Sequence, residues 1–269
     1  MELLKTGQFF GQTNQRTQLN GLTITDTEYT HDKVDWHHHE SPYFTFILQG
    51  AVLEGNKKDT YHCAAGSLLF HNWEDAHYNI KPPGFTRGFH IEIDDHWLRQ
   101  FDINLHNIQG STAIKDPQVK LSFYKLFKES KMNDAASQVA IPSLLINCLE
   151  EMKNTQLYTS AKAPGWIKTL RELLHDQPLQ VSSLSFLSGV LGIHPVHISR
   201  YFPFYFGCTL GEYLRKIKTE RSLGMLGDRQ KSLVEIALDC GFSDQSHFNR
   251  CFKENVGITP KAYRALFVR

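Results

Sequence analysis

The chain has few cysteines, five in 269 residues, and no two of them form a close C-x-x-C pair. An odd set at positions 63, 148, 208, 240 and 251 reads as free thiols in a reducing cytoplasm, with a redox-sensing thiol as the lesser alternative. No run of about 20 apolar residues occurs, so no membrane span is expected. The opening "MELLKTGQFFGQTNQRTQLNG" lacks a long apolar stretch and a small-residue cleavage site, so no signal peptide is expected either. Also missing are a nucleophile triad, a phosphate loop and paired carboxylates in a motif context, which argues against an enzyme. What remains is the composition of an ordinary globular protein, 41% hydrophobic and 21% charged, long enough for one large domain or two ordinary ones.

The net charge of +1 conceals an asymmetry. Residues 1–164 hold 15 basic and 19 acidic side chains, whereas residues 165–269 hold 14 and 9. A basic C-terminal third beside an acidic remainder points to a nucleic-acid module joined to a domain of another kind.

Residues 22–93 read as strands. "LTITDTEYT", "YFTFILQGAVLEG", "DTYHCAAGSLLFH" and "FTRGFHIEI" are β-branched and aromatic, often alternate, and are cut by turn residues. Strands this short and this closely spaced predict a small barrel or sandwich. The period then changes. Val119, Phe123, Leu126 and Phe127 share one helical face, as do Ile141, Leu144, Leu145, Cys148, Leu149 and Met152. Two roles fit such a helix pair equally: covering the barrel, or dimerisation. The polar stretch "KNTQLYTSAKAPG" at 153–165 is the linker candidate.

From Trp166 onward the pattern is helix broken by short turns, and it repeats. "LGIHPVHISRYFPFYFGCTLGEYLR" (191–215) aligns with "CGFSDQSHFNRCFKENVGITPKAYR" (240–264). With one extra residue in the second copy, Gly192 meets Gly241, Ile198 meets Phe248, Arg200 meets Arg250, Phe202 meets Phe252 and Gly207 meets Gly257. Such a repeat is one supersecondary unit used twice. Each copy reads as helix, tight turn, helix. In the second, Ser232 and Glu235 form a capping box, Gly241 turns the chain, and Ser243 is expected to cap the next helix. In the first, His194 stands at the cap and Pro195 takes the first helical position. Amide, hydroxyl, imidazole and guanidinium groups near a helix N-terminus suit the DNA major groove. That reasoning selects Val196, His197, Ser199 and Arg200 in the first copy. In the second it selects Gln245, Ser246, His247, Asn249, Arg250 and Lys253. The basic helix "GEYLRKIKTERSLGML" between them is long enough to hold two reading helices roughly 34 Å apart, one DNA turn.

"EIALDCGFSDQSHFNRCFKENVGITPKAYR", "LGIHPVHISRYF" and "GCTLGEYLRKIKTERSLGML" resemble the DNA-binding domain of AraC-type transcriptional regulators, with which residues 166–267 align. One departure is "PFYF" after Phe202, where the family often carries basic residues; Pro203 removes a backbone donor and is expected to kink the helix. Upstream, "DWHHHESPYFTFILQG" and "AGSLLFHNWEDAHYN" resemble the two motifs of a cupin barrel, the sensor fold of many AraC-type regulators. On that pattern His37, His39 and His77 fall on metal-ligand positions, and Tyr43 stands where the metal-binding form has Glu. The resemblance makes His37, His39, Tyr43 and His77 the effector-binding candidates. Bound metal at His37, His39 and His77 is the lesser alternative to a polar pocket wall, and no cofactor is otherwise expected. Phe44, Phe46 and Phe70 are candidate neighbours, and His71, Trp73, Glu74 and His90 candidates for the mouth.

The expected architecture is α+β and multidomain. It has a cupin-like β-barrel at 1–112, a helical dimerisation pair at 113–160, and an all-α domain with two helix-turn-helix units at 166–267. The expected function is a cytoplasmic, sequence-specific transcription regulator, not an enzyme, that binds double-stranded DNA under control of a small-molecule effector. A homodimer and contact with RNA polymerase are the further expected partners, and a membrane is not. The rival is a metal-dependent cupin enzyme with an appended helical domain.

Overall fold

The computed structural model describes residues 1–72, 75–105, 110–159, 164–181 and 183–267, the side chains of 153–159 excepted. It comprises two compact units, residues 1–115 with 122–145, and residues 116–121 with 146–269.

The first unit is built on two sheets. One has the strand order β1 (Glu2–Leu4), β4 (Lys33–His39), β9 (His77–Ile80), β6 (Ala51–Asn56), β7 (Thr60–Ala64). The other runs β11 (Thr112–Ile114), β8 (Leu68–His71), β5 (Tyr43–Gln49), β10 (Arg87–Ile93), β3 (Leu22–Glu28), β2 (Gln12–Leu19). Among the described residues only β1 against β4 is parallel. Strands therefore begin well before residue 22. The edge strand β2, "QTNQRTQL", is polar and largely exposed, so hydrophobic patterning does not mark it. Asp94 caps α1 (Asp95–Gln100), accepting a hydrogen bond from Trp97 N at 2.7 Å.

The central strands β5 and β10 are buried almost throughout, and their two faces carry different chemistry. Phe44, Phe46 and Phe89 point to one side, where α2 (Pro117–Met132) lies on them. Ring centroids are 4.8 Å apart for Phe44–Phe123, 4.5 Å for Phe46–Tyr124 and 5.6 Å for Phe89–Phe127. A buried ion network reinforces this layer. Arg87 donates to both carboxylate oxygens of Asp26, at 2.7 and 2.6 Å, and Lys131 of α2 donates to the same group. Phe44 and Phe46 thus belong to the helix-facing layer rather than the pocket. So does Phe70, 5.0 Å from Phe44, because strand alternation turns all three outward. The second helix, α3 (Ser137–Thr159), runs past Lys153, so the expected linker starts later than its composition implied. Residues 160–163 lie outside the described residues.

The second unit continues with α4 (Gly165–Asp176), α5 (Leu184–Leu191), α6 (Pro195–Phe206), α7 (Leu210–Leu226), α8 (Leu233–Asp239), α9 (Gln245–Val256) and α10 (Pro260–Ala265). The repeat is real: α5–α6 and α8–α9 are the same device. Gly192 and Gly241 make the two turns at φ +66° and +80°, a region closed to most side chains. Gly207 and Gly257 end the two second helices at φ +69° and +88°. Capping boxes open α7 (Thr209 with Glu212) and α8 (Ser232 with Glu235). His194 caps α6 with Pro195 at its first position, as the sequence implied.

One expectation is corrected. The cap of α9 is Asp244, whose carboxylate accepts from His247 N at 2.8 Å, while Ser243 donates to Asp244 from one residue outside. An anion is the stronger acceptor at the positive end of a helix. Separately, α6 continues through Pro203 to Phe206.

Ile198 and Phe202 enter a core with Leu170, Leu174, Leu187 and Ile217. Their counterparts Phe248 and Phe252 pack in a ring series with Phe242 and Tyr263, centroids 5.1 to 5.9 Å apart. Because Phe248 is fully buried, Phe248→Ala should destabilise the second unit by about 3–5 kcal/mol, measured by denaturant unfolding. A loss below 1 kcal/mol would mean that this ring is not a core anchor.

Candidate functional site

The DNA-facing candidates stand where the repeat places them, on the outward sides of α6 and α9. Val196 is 65% exposed, and Ser199, Arg200, Ser246, Arg250 and Lys253 are also exposed. Gln245, His247 and Asn249 are half-buried. Among the described residues no hydrogen bond or ion pair engages the guanidinium of Arg200 or Arg250, so both are free to bind an acceptor outside the protein. The two histidines are more constrained. His197 packs on Tyr201 with centroids 4.4 Å apart and meets Trp166 edge-on at 5.8 Å. His247 Nδ1 shares a 3.0 Å hydrogen bond with Ser243 Oγ. Of the basic residues around the helices, Lys218 already donates to the Gly241 carbonyl at 2.6 Å and fastens the second turn.

The other candidates converge between the two sheets. His37 and His39 come from β4, Tyr43 from β5 and His77 from β9, and all four are buried. Ligand nitrogens of the three histidines lie within 4.8 Å of one another. Tyr43 OH is 3.0 Å from His77 Nε2. His77 Nδ1–H donates to the Asp75 carbonyl at 3.0 Å and His37 Nδ1–H to the Asp35 carbonyl at 2.9 Å. Each backbone bond sets the tautomer, so Nε2 carries the lone pair in both rings. For His77 the Tyr43 hydroxyl donates to it. These residues line a pocket together with Phe9, Phe10, Thr45 and Val52.

The structure adds groups that the motif reading missed. Glu54 of β6 and Glu92 of β10 are buried carboxylates of the same interior, and Tyr29 bonds His90 at 3.1 Å. A lone Glu in the apolar strand "AVLEG" was the available signal for Glu54. His71 and His90 are fully buried within this cluster rather than at a mouth. Trp73 and Glu74 lie outside the described residues. Among the described residues none of the five cysteines is paired. Burial pushes the thiols of Cys63 and Cys240 up to about 12 and about 11, which suits packing rather than redox sensing.

Paired helix-turn-helix units with exposed, unpaired arginines define a DNA-binding protein. A helix-turn-helix domain family matches residues 187–266. The chain is 33% identical over 99 residues to the Proteus vulgaris protein named "Probable transcription factor PqrA", covering 37% of this chain and 77% of that one. It is 26% identical over 144 residues to the transcriptional activator RhaR of Mannheimia succiniciproducens, spanning 52% of each. A ToxT structure from Vibrio cholerae aligns with 93% of this chain and 98% of its own, at 13% identity and a TM-score of 0.43. The chain belongs to the AraC-type helix-turn-helix transcriptional regulators. No helix among the described residues is long and apolar enough to cross a membrane.

Electrostatics in the pocket follow from desolvation. Burial, aided by neighbouring imidazoles, lowers the pKa of His39 to about 2 and of His77 to about 4. Burial lowers His90 to about 3, and also lowers His37 and, strongly, His71. The same cause raises Glu54 to about 8 and Glu92 to about 7. His39 is therefore neutral, and its Nδ1 and Glu92 Oε1, 3.6 Å apart, do not form an ion pair.

These shifts act in opposite directions on stability. Between about pH 4.5 and 6.5 the unfolded chain protonates histidines that the fold keeps neutral, so stability rises with pH. Over the same range the folded carboxyls hold protons that the unfolded chain releases, which opposes the rise. Above about 6.5 only the carboxyls act, and stability declines toward pH 8. Five histidines outweigh two glutamates, so calorimetry in EDTA should show the sheet unit most stable near pH 6.5–7. Each net proton contributes about 1.4 kcal/mol per pH unit. A melting temperature flat from pH 4.5 to 6.5 would refute this.

Proposed function

We propose that the two sheets form a cupin-like effector-sensing barrel and that occupancy of its pocket controls DNA binding by the helix-turn-helix pair. The observation that carries this reading is the buried convergence of His37, His39, Tyr43 and His77 in a chain that also holds a DNA-binding domain. A pocket wall of neutral imidazoles and one phenol offers both donors and acceptors to a small polar ligand. The domain limits 1–112, 113–160 and 166–267 belong to the same proposal, as do a homodimer through the helical pair, contact with RNA polymerase and residence in the cytoplasm. Because the rings of Phe123, Tyr124 and Phe127 are committed to the sheet, any dimer contact falls to the other faces of α2 and to α3. The enzyme alternative has less support: the relatives named above are transcription factors, and Tyr43 stands where a metal-binding cupin has its Glu.

DNA contacts are assigned to Val196, His197, Ser199 and Arg200 on α6, and to Gln245, Ser246, His247, Asn249, Arg250 and Lys253 on α9. Val196 suits a thymine methyl, and the free Arg250 guanidinium suits guanine. Lys253 is the phosphate contact. On a duplex selected from a random library, Arg250→Ala should weaken binding by about 1–3 kcal/mol and relax one base position. Unchanged affinity of the folded variant would remove Arg250 from the interface. Genome-wide mapping of bound sites tests the whole reading, because target genes supply the reporter. The double variant His37→Ala/His77→Ala should keep its affinity for those sites. It should no longer shift target expression under growth conditions that shift the wild type. An intact response would remove the sensor claim and leave DNA binding standing.

A further inference from the structure

Beside Tyr43, whose ring stacks on His71, the interior holds a second cluster that shares His77 with the first. Glu54, His71 and His77 place one ligand atom each within 4.8 Å of the others, and all three residues are buried. Glu54 Oε1 and His71 Nε2 face each other at 3.4 Å, and neither has a hydrogen-bond partner among the described residues. The second polar atom of each residue is held from behind. Asn79 donates to Glu54 Oε2 at 3.2 Å. His77 Nδ1–H is fixed on the Asp75 carbonyl at 3.0 Å. Ser111 donates to the Asp75 carboxylate and accepts from His71 Nδ1–H at 2.9 Å. His71 Nε2 is therefore a bare lone pair aimed at a carboxyl oxygen. Burial raises Glu54 to about 8, so near neutral pH either its own proton or a metal ion that displaces that proton can lie between the two atoms.

We propose that this cluster is a binding site for a divalent transition metal of the zinc class, ligated by Glu54, His71 and His77, with Tyr43 OH beside the fourth position. Metal–ligand bonds of about 2.1 Å in a tetrahedron put neighbouring ligand atoms about 3.4 Å apart. The Glu54–His71 separation already has this value, and His77 Nε2, within 4.8 Å, exchanges its hydrogen bond from Tyr43 OH for the metal. A carboxylate–Ser–His chain behind one ligand and a backbone carbonyl behind another are outer partners of the kind that orient zinc ligands. The set at the cupin-motif positions, His37, His39 and His77, brings no negative charge to offset a buried dication, whereas Glu54 does. The proposal rests on the sensor reading only in placing the ion at the inner wall of the effector pocket.

The full-length protein, stripped with chelator, is titrated with Zn2+ by calorimetry and its metal content measured by mass spectrometry. One ion per chain is expected. Glu54→Gln and His71→Gln should each cost more than the ~10–100-fold in affinity that loss of an outer partner costs, and Ser111→Ala should fall within that range. His37→Ala should keep the ion. Circular dichroism and melting of the apo variants establish that each folds. Substituted Co2+ should show the intense visible bands of a four-coordinate site, lost in Glu54→Gln. No zinc bound by the folded wild type at micromolar concentration overturns the proposal and leaves the sensor reading intact. Loss of zinc in His37→Ala with retention in Glu54→Gln overturns it in favour of the other triad. Zinc bound as described, with DNA affinity the same in its presence and absence, upholds the metal site and removes zinc as the sensed signal.

Discussion

Period-two alternation along β5 and β10 is the constraint on which the sheet unit depends. Odd positions of β5 and even positions of β10 carry Tyr43, Thr45, His90 and Glu92 to the interior, while Phe44, Phe46 and Phe89 go to α2. A slip of one residue would exchange the two sets, placing imidazoles and carboxyls under a helix and aromatic rings in the pocket. The Asp26–Arg87–Lys131 network resists that slip, because a buried ion triad tolerates no substitute partner at its position.

The interior so formed is polar and dry at once. Five histidines and two glutamates share it, and desolvation keeps the rings neutral and raises the carboxyls toward neutral pH. Neutral imidazoles such as His37, with one nitrogen anchored and a lone pair on the other, are suited to ligand recognition. Tyr43 divides this space. Its ring stacks on His71 at 4.4 Å and 10°, and its hydroxyl bonds His77, the residue shared by both clusters.

In the helical unit the controlling feature is the pair of left-handed glycines that turn α5 into α6 and α8 into α9. They let each second helix return across the first with its apolar stripe inward. The opposite side, with Arg200 in one copy and Arg250 in the other, is then necessarily outward. α7 serves both halves. Tyr213 and Ile217 pack into the first core, and Thr219 and Ser222, fully buried and small, are packed tightly along its middle. At 17 residues it is about 25 Å long, shorter than one DNA turn, so the spacing of the reading helices also depends on where α6 and α9 leave its sides.

Local signals made most of the helical unit legible in the sequence: glycine turns, capping boxes, a proline at a first helical position and a repeated apolar spacing. Each acts over a few residues, so each is visible without the fold. The cap of α9 escaped only because Ser243 and Asp244 are both competent, and the helix geometry chose between them. In the sheet unit the sequence located the histidines but not their company. Glu54, Glu92 and His71 are separated by many residues from His37 and His39, and their meeting depends on strand order. The polar strands β2 and β4 and the outward turn of Phe44, Phe46 and Phe70 were likewise decided by pairing partners. Sequence alone determined the DNA-reading device because its information is local. Tertiary structure decided the pocket because alternation settles only that neighbouring residues face opposite ways, and only the packing of α2 settles which way is in.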